Sequence, residues 1–375
     1  MKNLIKLFLV IILTLTISTA FPVSVFAYEY GTPDLDEMVQ VKTNGNTKTH
    51  SFDRVSINRI KNSRSKKYKN KSDEQKLKEI FDALELKIDN LQFEQISKDL
   101  KLSHISDISV KTQYIKVNAE GENSNISESE AFEIVEKEKK LLTSSHTNYS
   151  LATTAETSDT SPTTSHGSPP ETVADGCMQM QITAIYTPNY NGTGTTIGRY
   201  CFLGSCLWLT TPDPLQRTTN TICFYSPDFR WPDKRLDSNE NSNYVSIFSY
   251  VEYVYDSNSN LVSYENISEV KHESDAVVSS EKGVFFEHDL PNNKVLMPII
   301  YGDFSFLVFA VGNVHNYNNA DQNISIDFKY TFLTNPLSIS PSFSWGPVGV
   351  SVSFMHGPEE YVTHHTWDYH NDYYA

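Results

Sequence analysis

The chain has 375 residues, 12% of them aromatic, with 21 Tyr and 20 Phe and a formal net charge of −15 at neutral pH. Such a balance disfavours nucleic acid, whose phosphates need clustered Lys and Arg, and disfavours adhesion to an anionic membrane by charge alone. The excess of acid lies mainly beyond Glu171, because acids and bases nearly balance between Tyr28 and Leu142.

Residues 1–27 read as a secretory signal peptide. Lys2 and Lys6 make a basic start, Leu7–Ile17 is apolar, and Val25 and Ala27 stand where a signal peptidase reads. That run is too short to span ~30 Å of hydrocarbon, and no later stretch reaches the ~20 apolar residues of a membrane helix. The expected mature protein begins near Tyr28, is secreted and extracellular, and carries no transmembrane segment.

Residues 28–71 read as a poorly ordered segment ending in the basic run Arg64–Lys71, a solvated linker by composition. Residues 72–142 read as a small α-rich unit. Ser72 and Gln75 have capping-box spacing, and Leu77, Ile80, Phe81, Leu84 and Ile88 share one helical face. A second helix is expected around Phe93, Ile96 and Leu100, then a strand through Ile108, Val110, Thr112 and Tyr114. Ser127 and Glu130 open a third helix bearing Ala131, Ile134 and Val135. Residues 143–176 are rich in Ser, Thr and Pro and cannot bury enough apolar area to offset chain entropy, so they read as a flexible linker.

From Cys177 to Ala375 the hydrophobic period changes from 3.6 to 2. Met178, Met180, Ile182, Ala184 and Tyr186 alternate, as do Ile324, Ile326, Phe328, Tyr330 and Phe332. The runs Tyr244–Tyr255, Leu261–Val270 and Phe304–Val311 are aromatic and β-branched, and short alternations follow at Ile339–Phe343 and Val348–Phe354. The fold class expected is mainly β: an antiparallel sandwich or barrel-like domain of roughly eight to eleven strands, preceded by the α-rich unit.

All four cysteines, Cys177, Cys201, Cys206 and Cys223, fall in this part of the chain. In an exported protein they suggest disulfides, with Cys201–Cys206 closing a hairpin at Phe202–Ser205 and Cys177–Cys223 as the second bridge. A zinc site is the weaker reading of the same residues.

Near the C-terminus His364, Asp368 and His370 are candidate zinc ligands within a cluster that also holds His356, His365 and Asp372. If they lie on one strand, His364 and His370 are about 20 Å apart, so Asp368 and His370 would need a third ligand from elsewhere. Asp256–Asn260 starts like a calcium loop, but Leu261 replaces the required Gly and Ile267 the bidentate Glu, so it reads as a hairpin turn. Gly192–Gly198 reads as a loop, and the acids Glu287 and Asp289 as solvated. Trp208, Trp231, Trp345 and Trp367 read as core or turn residues, with stacking on sugar rings as the functional alternative.

These features lead to the expectation of a secreted, non-enzymatic binding or surface-interaction protein whose partner is a glycan, a cell-surface or wall component, or a protein. The first alternative is a metal-dependent hydrolase using the C-terminal His/Asp cluster with zinc. The second is a pore-forming or antimicrobial protein whose N-terminal unit is a pro-region.

Overall fold

The computed structural model describes residues 34–63, 65–117, 123–137, 140, 176–187, 199–210, 219–231, 243–256, 261–279, 282–289, 299–314, 321–333, 342–346, 349–353 and 359–370. The segment expected to be disordered is folded from Asp34 onward. Helix α1 (Leu35–Met38) leads into strands β1 (Gln40–Asn44) and β2 (Thr47–Phe52), then helices α2 (Arg54–Lys61) and α3 (Lys66–Lys69). The β1–β2 turn is made at Gly45, whose φ of 58° suits a residue without Cβ. Asp53 caps α2 by accepting from the Ser56 amide at 2.8 Å. The basic run is no linker: Tyr68 on α3 is fully buried, with Lys67 and Lys71 over its ring and Lys71 paired with Glu79.

Helix α4 (Asp73–Ala83) carries the expected capping box. The Gln75 amide donates to Ser72 Oγ at 3.1 Å, and Gln75 Oε1 accepts from the Ser72 amide at 3.0 Å. Replacing Ser72 by Ala leaves an orphan amide and is expected to cost about 0.5–2 kcal/mol. It should appear as a lower denaturant midpoint with an unchanged slope. Helix α5 (Asn90–Asp99), strands β3 (Asp107–Val117) and β4 (Asn123–Ile126), and helix α6 (128–137) complete this part.

Thirteen more strands follow. They are β5 (Gly176–Thr187), β6 (Arg199–Thr210), β7 (Thr219–Tyr225), β8 (Phe229–Arg230), β9 (Tyr244–Tyr255), β10 (Leu261–His272), β11 (Val277–Ser279), β12 (Gly283–Asp289), β13 (Ile299–Val314), β14 (Asp321–Leu333), β15 (Ser342–Gly346), β16 (Gly349–Ser353) and β17 (Glu359–His370). The protein is mainly β, with antiparallel sheets that stack without closing into a barrel. One ten-stranded sheet runs β1-β2-β3-β5-β6-β13-β9-β10, with β4 beside β3 and β8 beside β13. A five-stranded sheet runs β11-β12-β7-β14-β17, and β15 pairs with β16 alone.

The large sheet is covered on both faces. One face packs Phe202, Trp208 and Phe306 against Phe224, Phe286 and Phe328 of the five-stranded sheet. The other packs Ile185, Leu203, Ile247, Leu307 and Phe309 against Ile57, Ile60, Leu77, Ile80, Phe81 and Ile96 of the helices. Strands with two dry faces favour apolar residues at consecutive positions, as in Phe306-Leu-Val-Phe-Ala-Val311 of β13. All twelve residues of β5 are buried too, and there Gln181 donates to the Glu85 carbonyl at 2.8 Å and to Thr112 Oγ1 at 3.0 Å. Residues 72–142 therefore do not stand apart. Their strand β3 pairs with β5 from Asp107↔Tyr186 to Val117↔Gly176, and their helices roof the strands that follow the linker. The linker itself, 143–175, lies outside the described residues.

The cysteine expectations need correction. All four cysteines are buried and none is bridged to another. Phe202–Ser205 is strand interior rather than a hairpin, because Cys201 and Cys206 both lie on β6. Five residues apart, they are about 16 Å distant along the strand, whereas a bridge needs Cα atoms within roughly 7 Å. Their odd spacing also turns Cys201 toward the helices and Cys206 into the inter-sheet core. Cys177 packs with Tyr114, Ile126 and Ala131, while Cys223 lies on β7 in the other sheet. Burial, with a smaller contribution from Glu130, pushes the Cys177 thiol up to about 12, and burial holds Cys206 well above its ordinary value. Both stay protonated and unreactive.

Candidate functional site

Strands β9 and β10 form a hairpin on the outer margin of the large sheet. The register runs from His272↔Val245 at the base to Leu261↔Tyr255 at the tip, with one irregularity between Leu261 and Ser263. This pairing gives the Asp256–Asn260 stretch the place of a hairpin turn, though 257–260 lie outside the described residues. Toward the base, β9 is buried from Tyr244 to Phe248, and beyond it every residue to Tyr255 is only half-buried. The first six residues of β10 are all exposed. The distal half of the hairpin thus runs past the layers that cover its base.

The chemistry of that distal half is aromatic and aliphatic. Seven large hydrophobic side chains are exposed among the described residues, and three of them, Leu261, Val262 and Tyr264, open β10 at 51%, 64% and 66% exposure. Tyr264 stands opposite Tyr253 in the ladder, which puts the two tyrosines on the same face of the hairpin. Glu265 stands opposite Glu252 one step further in. Like charges placed opposite one another cost stability, and a free edge strand needs charge to resist indiscriminate pairing. A cluster of exposed apolar groups rimmed by acids is the surface pattern of a contact site.

At the base, one imidazole joins both strands of the hairpin to the five-stranded sheet. His288 lies on β12, where alternation with Val284 and Phe286 turns it into the inter-sheet layer. Its Nε2 is 2.6 Å from Ser246 Oγ on β9, and its Nδ1 is 2.9 Å from Glu269 Oε2 on β10. A carboxylate only accepts, so Nδ1 carries the proton and Nε2 accepts from the Ser246 hydroxyl. Phe248 and Phe306 flank the ring at 5.8 and 6.2 Å between centroids. Burial draws His288 below the ordinary imidazole value, outweighing the hydrogen bond and charge of Glu269, which act the other way. Lys271 holds the other carboxylate oxygen of Glu269 at 3.4 Å and donates to the Glu287 carbonyl at 2.5 Å.

Serine, histidine and glutamate follow in the order of a catalytic triad. The surroundings do not suit that chemistry. Ser246 and His288 are completely buried, and Ser246 sits mid-strand, paired on one side with Lys271 and on the other with Val308. A nucleophile needs room for an acyl group and free donors for the oxyanion, and a ladder residue packed under a second sheet has neither. The three residues act as a tie between sheets. Sequence reasoning took the acids Glu287 and Asp289 as solvated, which suits exposed Asp289 and half-buried Glu287, and it gave no role to His288 between them. The apolar alternation leading up to His288 was the available signal; Ser246 and Glu269 carried none.

The expected metal ligands His364, Asp368 and His370 all fall on β17, an uninterrupted partner of β14. They stand opposite Asp327, Asn323 and Asp321 respectively, so the neighbouring strand brings two acids to that ladder. Their side chains lie outside the described part of the structure. Among the described residues no group of three or more His, Cys, Asp and Glu is placed to hold a metal ion. Trp208 and Trp231 are core residues: the first donates to the Tyr330 hydroxyl at 3.3 Å and the second to the Ser226 carbonyl at 3.4 Å. Neither is available to stack on a sugar. Trp345 and Trp367 lie on β15 and β17, with side chains outside the described part.

Comparison with known proteins finds no matching family model and no matching curated protein.

Proposed function

We propose that the protein is a secreted, non-enzymatic binding protein that attaches to a glycan, a wall component or a surface protein through the distal half of the β9–β10 hairpin. The observation that supports this reading is the exposed group Leu261, Val262 and Tyr264 on an edge strand whose base is held rigidly in the fold. An aromatic pair with aliphatic neighbours buries area at low entropic cost and stacks on sugar faces as readily as on protein. Strong acid content at the rim argues against an anionic surface as the target. Among the described residues no helix is long and apolar enough to cross a membrane. The arms of the β15–β16 hairpin have five residues each, about half of what a bilayer-spanning strand requires.

The test is retention of the full chain on immobilised polysaccharides and wall preparations, with Val262→Asp and Tyr264→Ser alongside. Retention by the unaltered chain and a loss of tenfold or more in each variant is expected, since about 1.4 kcal/mol of lost contact suffices for that factor. Full retention of both variants would move the contact elsewhere, and failure of the folded chain to bind any preparation would end the reading.

A further inference from the structure

The Ser246–His288–Glu269 tie takes one partner from each arm of the hairpin and the third from the opposite sheet. A single imidazole therefore ties both arms of the hairpin base to the five-stranded sheet, and imidazole is the side chain whose charge changes most readily between pH 5 and 8. We infer that His288 is an acid-sensitive clasp, neutral and closed near pH 7, whose protonation frees the base of the β9–β10 hairpin from the five-stranded sheet. This inference deepens the reading of β9–β10 as the contact surface and rests on it for its biological meaning, since the clasp would set how firmly that surface is presented.

The hydrogen bonding itself depends on protonation. While Nε2 is bare it accepts from the Ser246 hydroxyl; once it carries a proton both ring nitrogens donate, and the hydroxyl must find another acceptor within the packed layer. The new positive charge would lie between the rings of Phe248 and Phe306, away from water. Charged groups around it compensate poorly. From β10, Glu269 is partly exposed and shared with Lys271, which itself repels an imidazolium. On β12 itself, Glu287 and Asp289 flank His288 and alternate to the other face of the strand. From β9 the nearest titratable group beyond Phe248 is Tyr250, and from β13 come Phe304 and Phe306. From β7 comes the register partner Asn220, which accepts from the Tyr330 hydroxyl of β14 at 2.6 Å and offers no charge.

Of the tied elements the β10 arm is the one that yields. In the described structure β10 pairs only with β9, whereas β9 is also held to β13 over ten residue pairs, and β12 to β7 over seven and to β11 on its other side. The sign follows from the lowered folded-state value. A chain unfolded at this site takes up a proton near pH ~6.5, before the folded clasp does. The clasp's contribution is therefore complete above about pH 6.5 and declines as pH falls below it toward the lower folded value.

Hydrogen exchange on the full-length protein at pH 7.5 and pH 5, corrected for intrinsic exchange, tests the clasp without any ligand. The expected result is that amides of 265–272 lose protection tenfold or more at pH 5 while those of β5 and β6 do not. In His288→Gln, which keeps a donor and an acceptor but cannot titrate, protection of the hairpin should be the same at both pH values. Unchanged protection in the native protein, or an equal acid loss in the variant (which would point to Glu269 or to the distant buried His50), overturns the inference. Should the variant fail to fold, NMR of the native protein decides instead: hairpin amides must shift with the midpoint of the His288 ring, and a different midpoint overturns the inference. Because no partner is used, failure of the binding reading and failure of the clasp register separately.

Discussion

A chain beginning at Gly176 is expected to fail as a stable monomer. Removing what precedes it strips β3 from β5, which frees eleven residue pairs along the edge of β5. It also uncovers the face that the helices roof, namely Ile185, Cys201, Leu203, Val245, Ile247, Leu307, Phe309 and Val311. Burial of a large apolar side chain contributes about 1.5–3 kcal/mol, so exposing this set forfeits on the order of 10 kcal/mol or more. Domains of ordinary stability hold about 5–15 kcal/mol in total. The fragment should run as an aggregate, or as an expanded species that binds hydrophobic dye, in size-exclusion chromatography with light scattering. A monomeric fragment that unfolds cooperatively would contradict the three-layer packing. The same reasoning bears on the idea of a removable pro-region: a cut in the linker would leave two pieces held together by β3, β5 and the shared helix-side core.

A second large effect is expected from one methyl group at Gly204. A Cβ built there would lie 2.4 Å from two ring atoms of Phe328 and 2.9 Å from the tip of Phe224. Those rings face the large sheet from β14 and β7 and are themselves in contact, 5.3 Å between centroids. Neither is a flexible chain end that swings clear, so Gly204→Ala must push the sheets apart locally. About 1–3 kcal/mol of destabilisation is expected, and more for Gly204→Val. Denaturant unfolding measures it directly. A midpoint equal to that of the native chain would show that the rings do not sit against β6 as described.

Gly204 also shows where the sequence misled. In Cys201-Phe-Leu-Gly-Ser-Cys206, a glycine beside a serine reads as a turn, and two cysteines at its ends read as its staple. The glycine is there because an aromatic ring from the other sheet occupies the space of its side chain, which no local pattern reveals. The hairpin at Gly45-Asn46 was hidden for another reason: its strands are polar and lie in the segment read as poorly ordered. Those strands are held by the edge of a larger sheet and bury chiefly His50 and Phe52. Where a segment carried its own determinants, its limits were legible. The Ser72–Gln75 capping box and the Tyr244–Tyr255 run both coincide with element boundaries. The candidate site was half legible. Val262 and Tyr264 stand out at the head of a strand-like run, but Ser246, Glu269 and His288 meet only through the stacking of two sheets.

The place of β13 in the large sheet has a kinetic consequence. Strands β6 and β9 do not touch each other's edges; each pairs with β13, which arrives in sequence only at Ile299–Val314. The N-terminal half of the sheet and the β9–β10 hairpin are thus two ribbons with no seam between them until that late strand inserts. Pairings so distant in sequence carry a high closure entropy, and domains dominated by them fold over milliseconds to seconds. Throughout synthesis of the three hundred or so residues before that strand (~15–60 s at ordinary elongation rates) the chain has no means of completing its main sheet.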